Sequence, residues 1–155
     1  MALAKDIMTT NPIVVSDTLS IQDAARLLLE KNISGAPVVD DTGKMVGIIT
    51  KKDIVDTVRE MKLPRLINIF DAIIYLESAE EYNHELNKMA AVCVSDAMTK
   101  KVITVSPDME LPRLASLLSE HHINMVPVTH GEGKLLGIVS TTDVLKAVAY
   151  GSNQS

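Results

Sequence analysis

The chain has 155 residues, of which 46% are hydrophobic and 23% charged, a balance that excludes a disordered protein and suits one compact unit or two small halves. The formal net charge is -5 at pH 7, whereas a protein that binds nucleic acid non-specifically needs a basic surface, so this class of function is not expected. A single cysteine, no signal peptide and no apolar stretch of about 18 residues exclude an intrachain disulfide and a membrane span, and they predict a cytoplasmic protein.

The sequence repeats itself at a shift of 90 residues without gaps. From Asp6 to Asp53, 18 of 48 positions are identical to the position 90 residues later, whereas chance would give only a few. The repetition predicts two copies of one structural unit, at residues 1–60 and 94–150, with a short tail at residues 151–155.

The first copy predicts the element order β-α-β-β-α. A strand at residues 13–16 is rich in β-branched residues, and a helix follows it, with Thr18 as the candidate N-cap. The apolar face of this helix is predicted at Ile21, Ala24, Ala25 and Leu28. Strands at residues 36–39 and 45–50 flank a polar turn at residues 40–43. A last helix begins after Thr50, with a buried face predicted at Ile54, Val55 and Val58.

The second copy predicts the same order. Its strands are expected at residues 102–106, 126–129 and 135–140, with Asp108 as the candidate N-cap of the intervening helix. Pro112 falls in the early part of that helix, where proline is tolerated. The last helix begins after Ser140, with a buried face predicted at Val144, Leu145 and Val148.

A unit of about 50 residues buries too little surface to be stable alone. We therefore expect an α+β fold in which two pseudo-twofold related β-α-β-β-α repeats pack sheet to sheet, with the helices outside. Between the repeats, residues 61–93 have no counterpart. They contain an apolar segment at residues 66–76 and a capping box that predicts a helix from Ser78. This insertion packs locally on the module, forms a dimer contact or covers a ligand cleft, and the sequence leaves these alternatives open.

The repeated motifs resemble the CBS domain, and the pair resembles a Bateman module. In the first copy the motifs are Asp6-x-Met8-Thr9, residues 33–40, and residues 43–53, which end in Thr50-x-x-Asp53. In the second they are Asp96-x-Met98-Thr99, residues 123–128, and residues 133–143, which end in Ser140-x-x-Asp143. The resemblance covers everything except the insertion and the tail.

The resemblance implies a non-enzymatic regulatory module. Members of the family commonly bind adenosine-type ligands such as AMP, ADP, ATP or S-adenosylmethionine in clefts between the two repeats. They commonly form homodimers and modulate an attached or separate effector protein, which for this chain would be a separate one. No catalytic cofactor, nucleic acid or membrane partner is expected.

The candidate ligand-binding residues centre on Thr50, Asp53, Ser140 and Asp143. Each pair lies where a strand passes into a helix, and its spacing also fits a capping box that needs no ligand. The same place offers amide groups and a partial positive charge to a phosphate, and a carboxylate to the hydroxyls of a ribose. In the resembled family the acid binds the ribose.

By the same resemblance, the adenine site is lined by the first strand and the turn into the second strand. These positions are Ile13, Val14, Ile33, Ser34, Gly35, Ala36 and Pro37, and, in the other copy, Val102, Ile103, Ile123, Asn124, Met125, Val126 and Pro127. Many of them also suit an ordinary core. Some nucleotide-binding relatives carry His or Arg just before the second strand, and this chain does not, which argues against tight binding of a polyphosphate.

Phosphate charge would therefore have to meet cations elsewhere in the chain. The candidates are Lys51, Lys52, Lys100, Lys101, Arg65, His121 and His122. Each of them is also explained, without a ligand, as an ordinary solvent-exposed charge. The adjacent histidines lack the further ligands of a metal site, so no metal is expected.

The chain contains no nucleophile–base arrangement and no glycine-rich phosphate loop, and duplicated acids suit binding better than catalysis. Two other functions remain open: a ligand-independent dimerisation or protein-interaction module, and a module for a non-adenine ligand.

Overall fold

The structure, a computed structural model, describes residues 2–60 and 92–151. The six helices of this part of the chain are α1 Ala4–Ile7, α2 Ile21–Glu30, α3 Lys51–Glu60, α4 Val94–Ala97, α5 Leu111–Glu120 and α6 Thr141–Tyr150. The strands in the same ranges are β1 Thr9–Thr10, β2 Val15–Ser16, β3 Gly35–Val39, β4 Met45–Thr50, β5 Met125–His130 and β6 Lys134–Ser140. The predictions for the insertion, at residues 66–76 and from Ser78, lie outside the described residues.

The strands form two three-stranded sheets, which confirms the mixed α+β fold. In one sheet, β2 runs parallel to β3, and β3 pairs with β4 in antiparallel register. In the other, β6 lies between β1 and β5 and is antiparallel to both. Ile48, Met125 and Ile138 form an apolar cluster that joins strands of both sheets.

Each repeat lends its N-terminal segment to the sheet of the other repeat. Thr9 of β1 pairs with Ile138 of β6, and in the equivalent place Thr99 pairs with Ile48 of β4. The amide of Ile48 donates to the carbonyl of Thr99 at 3.0 Å, and the amide of Thr99 donates back at 2.9 Å. This reciprocal exchange is not predictable from the repeat pattern, which does not show which sheet each segment joins.

The short helices α1 and α4 follow the same exchange. Ala4 is fully buried in the core of the second repeat, beside Val105 and Leu114. Val94 is fully buried in the core of the first repeat, beside Val15 and Leu28. Each hydrophobic core therefore includes a residue contributed by the other repeat, so the two repeats stabilise each other.

Two predicted helix caps are wrong, because the helices begin later than expected. Ser20 caps α2 by accepting a hydrogen bond from the amide of Asp23 at 3.1 Å, whereas the Thr18 hydroxyl pairs with that of Ser16. The N-cap of α5 is Glu110 and makes no side-chain cap bond. Asp108 instead accepts a hydrogen bond from Lys5 at 3.1 Å. A residue two positions too early cannot reach the free amides of the first turn.

The first strand of each copy is shorter than predicted. Residues 13–16 contribute a strand at Val15–Ser16 alone, and residues 102–106 contribute an isolated bridge from Val105 to Val128. The other four predicted strands are confirmed, with ends that differ by one residue at most. Pro112 lies in the first turn of α5, as expected.

The predicted buried faces of α3 and α6 are only partly correct. Ile54 and Val144 pack against the cores of their own repeats, but Val55, Leu145 and Val148 are exposed to 66%, 66% and 74%. Consecutive residues of a helix point about 100° apart. When Ile54 faces the core, its neighbour Val55 therefore points toward solvent. Among the described residues, the apolar side of each helix therefore extends beyond the part that packs against its own repeat.

The longest helices among the described residues have ten residues, whereas a membrane span needs about 20.

Candidate functional site

Two cavities lie between the repeats, and each contains one of the two repeated aspartates. The Asp53 cleft has a volume of about 530 Å³ and the Asp143 cleft about 480 Å³, within the usual range for small-molecule sites. A third cavity, of about 540 Å³, lies between α5 and α6 and has no acidic residue in its lining. The clefts with the aspartates are the candidate functional sites.

Each cleft combines both repeats, because the N-terminal segments are exchanged between the sheets. The predicted residues in the Asp53 cleft are Thr50, Asp53, Lys51, Lys52 and Ser34 of the first repeat and Lys101, Val102, Ile103, His121, His122, Ile123, Asn124, Met125 and Pro127 of the second. Those in the Asp143 cleft are Ser140, Asp143 and Met125 of the second repeat and Ile13, Ile33, Ser34 and Gly35 of the first. Ser34 and Met125 line both clefts, so the clefts meet at these two residues.

Five predicted residues lie outside the lining of both clefts. They are Val14, Ala36, Pro37, Lys100 and Val126. Ala36 and Val126 are fully buried in the two hydrophobic cores, because alternate residues of a strand point to opposite faces of the sheet. Arg65 lies outside the described residues.

The two aspartates form capping boxes at the start of α3 and α6. Oδ2 of Asp53 accepts hydrogen bonds from the amide and the hydroxyl of Thr50, both at 3.0 Å, and the amide of Asp53 donates to that hydroxyl at 3.2 Å. Oδ2 of Asp143 accepts the equivalent bonds from Ser140 at 2.8 and 3.0 Å. Each box uses only one carboxylate oxygen, so capping and ligand binding are compatible.

The second oxygen, Oδ1, differs between the two sites. The Thr99 hydroxyl donates to Oδ1 of Asp53 at 3.0 Å, a bond between the two repeats. Among the described residues, Oδ1 of Asp143 accepts no side-chain hydrogen bond, although Thr9 lies in the equivalent position. The carboxylate of Asp143 therefore has one oxygen available to the hydroxyls of a ligand.

The free amides at the start of α3 and α6 are largely used by the protein itself. The amide of Lys51 donates to the carbonyl of Ser34 at 2.9 Å, and the amide of Thr141 donates to that of Asn124 at 2.8 Å. The third amide of each helix binds the capping hydroxyl. These bonds fix the loop before β3 or β5 against the next helix, and they occupy the first and third amides of each helix.

Cationic side chains are concentrated in the Asp53 cleft. Its lining includes Lys51, Lys52 and Lys101, together with the histidines His121 and His122, whereas Lys146 is the one lysine among the described residues that line the Asp143 cleft. Lys52 forms an ion pair with Asp56 at 2.7 Å, and this hydrogen bond raises the pKa of Lys52 and lowers that of Asp56. No group of acids, histidines and cysteines suitable for a metal occurs in residues 2–60 and 92–151.

Sequence reasoning missed several residues of the clefts. Those in the Asp53 cleft are Ile48 and Thr99, and those in the Asp143 cleft are Thr9, Asn11, Pro12, Asn32, Ile138, Thr142 and Lys146. The available signal was the repeat itself, since Thr9 and Thr99, and Ile48 and Ile138, are identical pairs at the shift of 90 residues. They contribute to the clefts through the exchanged strands, which the repeat pattern alone does not reveal.

A family model for the CBS domain matches residues 4–60 and 94–150. The chain is 37% identical over 155 residues to the uncharacterized protein MJ1426 of Methanocaldococcus jannaschii, and the match covers 94% of this chain and 90% of that protein. It spans only 23% and 24% of two archaeal proteins named L-aspartate semialdehyde sulfurtransferase, from Methanocaldococcus jannaschii and Methanosarcina acetivorans.

Two similar solved structures contain adenosine compounds. The CBS domain pair of protein MJ0100, in complex with 5′-methylthioadenosine and S-adenosyl-L-methionine, is 28% identical with a TM-score of 0.71, and the match covers 96% of each chain. CBSX2, which comes from Arabidopsis thaliana, in complex with AMP, is 29% identical with a TM-score of 0.71 and the same coverage.

Proposed function

This chain belongs to the CBS-domain family, and from that membership we propose that it is a regulatory module that binds an adenosine-type small molecule between its two repeats. The observation that carries the proposal is the pair of clefts, each with a repeated aspartate at a helix start and apolar walls supplied by the other repeat. The ligand class is AMP, ADP, ATP or S-adenosylmethionine. The similar CBS pairs with AMP, or with 5′-methylthioadenosine and S-adenosyl-L-methionine, support this class.

In the proposed complex the carboxylate accepts the hydroxyls of the ribose, and the apolar walls hold the adenine. Oδ1 of Asp143 is the oxygen that the capping box leaves for this purpose, and Oδ1 of Asp53 becomes available when the Thr99 hydroxyl turns away. Val102, Ile103 and Ile123 supply the walls of one cleft, and Ile13 and Ile33 those of the other. Binding to both repeats at once would fix their relative position, because each cleft joins them.

In this proposal the module is not an enzyme. It acts on a separate effector protein in the cytoplasm. A ligand alters the effector only if it binds two geometries of the module unequally. A homodimer is proposed as well, and the exposed Leu145 and Val148 on α6 offer an apolar surface for it.

Calorimetric titration with AMP, ADP, ATP, S-adenosylmethionine and adenosine tests the proposal. Micromolar binding of at least one compound is expected, with a loss of affinity in Asp53→Asn or Asp143→Asn. Asparagine keeps an oxygen for the capping box, so these variants are expected to remain folded. Circular dichroism and size-exclusion chromatography provide the check.

Absence of binding, in folded protein from which bound nucleotide has been removed, would favour a ligand-independent interaction module. Retained affinity in both variants would place the ligand outside these clefts. The exposed apolar residues of α3 and α6 favour the interaction module as the second candidate, because they suit contact with another protein surface.

A further inference from the structure

The two clefts differ in charge although the repeats place them in equivalent positions. Lys101 lies in the Asp53 cleft where Asn11 lies in the Asp143 cleft. In the same way, His122 of the Asp53 cleft is equivalent to Asn32 of the Asp143 cleft, and Lys52 is equivalent to Thr142. Among the described residues, the Asp53 cleft thus has three lysines and two histidines around one aspartate, and the Asp143 cleft has one lysine and one aspartate.

We propose that the Asp53 cleft binds a phosphorylated adenosine compound and that the Asp143 cleft binds an adenosine compound without net negative charge. This assignment rests on the proposed function, since it divides the adenosine-type ligands between two clefts that are both taken as binding sites. It treats the two aspartates as equivalent for the ribose and assigns the discrimination to the residues around them.

The lysines of the Asp53 cleft approach it from both repeats. Lys51 lies at the start of α3, and Lys101 follows the exchanged segment that contains Thr99. Among the described residues neither lysine forms an ion pair, whereas Lys52 is held by Asp56. Lys51 and Lys101 are therefore the cations that a phosphate group would meet without first breaking an existing pair.

The charge of Asp53 does not cancel this attraction. Its carboxylate accepts two hydrogen bonds from Thr50 and one from the Thr99 hydroxyl, so both oxygens are already stabilised by donors. In the Asp143 cleft the balance is different, because Oδ1 of Asp143 has no side-chain donor in the described part of the chain. An anionic group placed there would approach this carboxylate, and Lys146 is the one lysine among the described residues of the lining.

The test compares AMP with adenosine in single-cleft backgrounds. Asp143→Asn leaves the Asp53 cleft intact, and Asp53→Asn leaves the Asp143 cleft intact. Calorimetry measures the affinity for each probe, and the ratio of the two affinities isolates the contribution of the phosphate. We expect AMP to bind at least about tenfold more tightly than adenosine in the Asp143→Asn background, since hydrogen bonds to charged groups are among the stronger ones. We expect no preference for AMP in the Asp53→Asn background.

Reciprocal exchanges then test the residues named. Lys101→Asn with His122→Asn gives these two positions of the Asp53 cleft the side chains of the other cleft. It should lower the ratio of AMP to adenosine affinity, with Lys51 as the remaining unpaired lysine among the described residues of the lining. Asn32→His with Thr142→Lys adds charge to the Asp143 cleft and should raise the ratio there. Asn32 and His122 share the same backbone φ of 52°, and all four positions are exposed, so the exchanges introduce no backbone strain.

Equal ratios in the two single-cleft backgrounds, or a ratio unchanged by the exchanges, would overturn the assignment while leaving adenosine binding in place. Binding of neither AMP nor adenosine by the unmodified protein would instead overturn the proposed function, and the assignment with it. Thermal unfolding of every variant confirms that a lost affinity reflects the cleft and not the fold.

Discussion

Gly35 and Met125 occupy equivalent positions of the two repeats, and the side chain of Met125 lies directly against the backbone of Gly35. A Cβ atom added to Gly35 would stand 2.7 Å from the Met125 sulfur and 2.8 Å from the carbonyl oxygen of Ile49. Met125 lines both clefts, and Gly35 lines the Asp143 cleft. A large residue facing a small one therefore breaks the twofold symmetry at the place where the two clefts meet.

Gly35→Ala is expected to lower the free energy of unfolding by roughly 1–3 kcal/mol, the usual cost of overpacking. Urea denaturation measures it, and the double variant with Met125→Ala identifies the cause. Removal of the sulfur should make the glycine substitution less costly, although the carbonyl of Ile49 remains close. If Gly35→Ala lowers the free energy of unfolding equally with and without Met125→Ala, the Met125 side chain can move aside without strain.

Gly137→Ala should weaken the exchange of the N-terminal segment. An added Cβ would lie 2.7 Å from the carbonyl oxygen of Thr9, a backbone atom held in the pairing of β1 with β6. The expected loss is again roughly 1–3 kcal/mol, with faster amide hydrogen exchange in β1 and β6. Strand β5 pairs with the opposite edge of β6 and provides the control, because its amide protection against hydrogen exchange should fall much less. Uniform loss of protection would indicate global destabilisation instead.

The position of the α2 cap is tested by two matched variants. Ser20→Ala removes the acceptor of the amide of Asp23 and should cost about 1 kcal/mol of unfolding free energy. Thr18→Ala removes a hydroxyl bonded to the Ser16 side chain and should change stability by less than about 0.5 kcal/mol. A larger effect at Thr18 than at Ser20 would contradict the observed start of α2.

The turn between β3 and β4 is expected to contribute a pH-dependent stability. Hydrogen bonds from Thr42 and Lys44 hold the pKa of Asp40 below its ordinary value of 3.8, with the Thr42 hydroxyl as the largest cause. A lowered folded-state pKa stabilises the protein above the unfolded value, and this stabilisation is lost as pH falls through the folded value. Unfolding curves of wild type and Asp40→Asn should therefore converge in acid. Asp41→Asn, one residue later, serves as the control, and a gap that widens below pH 3.8 would refute the expectation.

The proposed homodimer is tested at α6. Leu145→Asp places a charge on the exposed apolar side of that helix and should shift the protein toward monomer in multi-angle light scattering. Leu29→Asp provides the matched control, since Leu29 on α2 is also exposed, to 73%, but lies on another helix. Dissociation by Leu29→Asp alone would move the interface to α2.

Local interactions account for the parts of the site that the sequence predicts. A capping box spans three residues, so Thr50 with Asp53 and Ser140 with Asp143 are recognisable without knowledge of the fold. Whether a strand residue faces the core or a cleft depends on its position in the strand, because alternate residues point to opposite faces of the sheet. Ala36 and Gly35 are neighbours and were both predicted to line a cleft, yet one is in the core and the other beside a cavity.

Residue types and short-range spacing suffice to predict the duplication, the order of the main strands and helices, and the two capping boxes, because none of these depends on distant contacts. The tertiary structure alone decided that Thr9 pairs with the second repeat and Thr99 with the first. The two repeats offer similar strand edges, and a two-residue segment has no periodicity that distinguishes them, so the partner is chosen by packing of the whole chain. That choice brings the Thr99 hydroxyl to Asp53 and assembles each cleft from residues of both repeats.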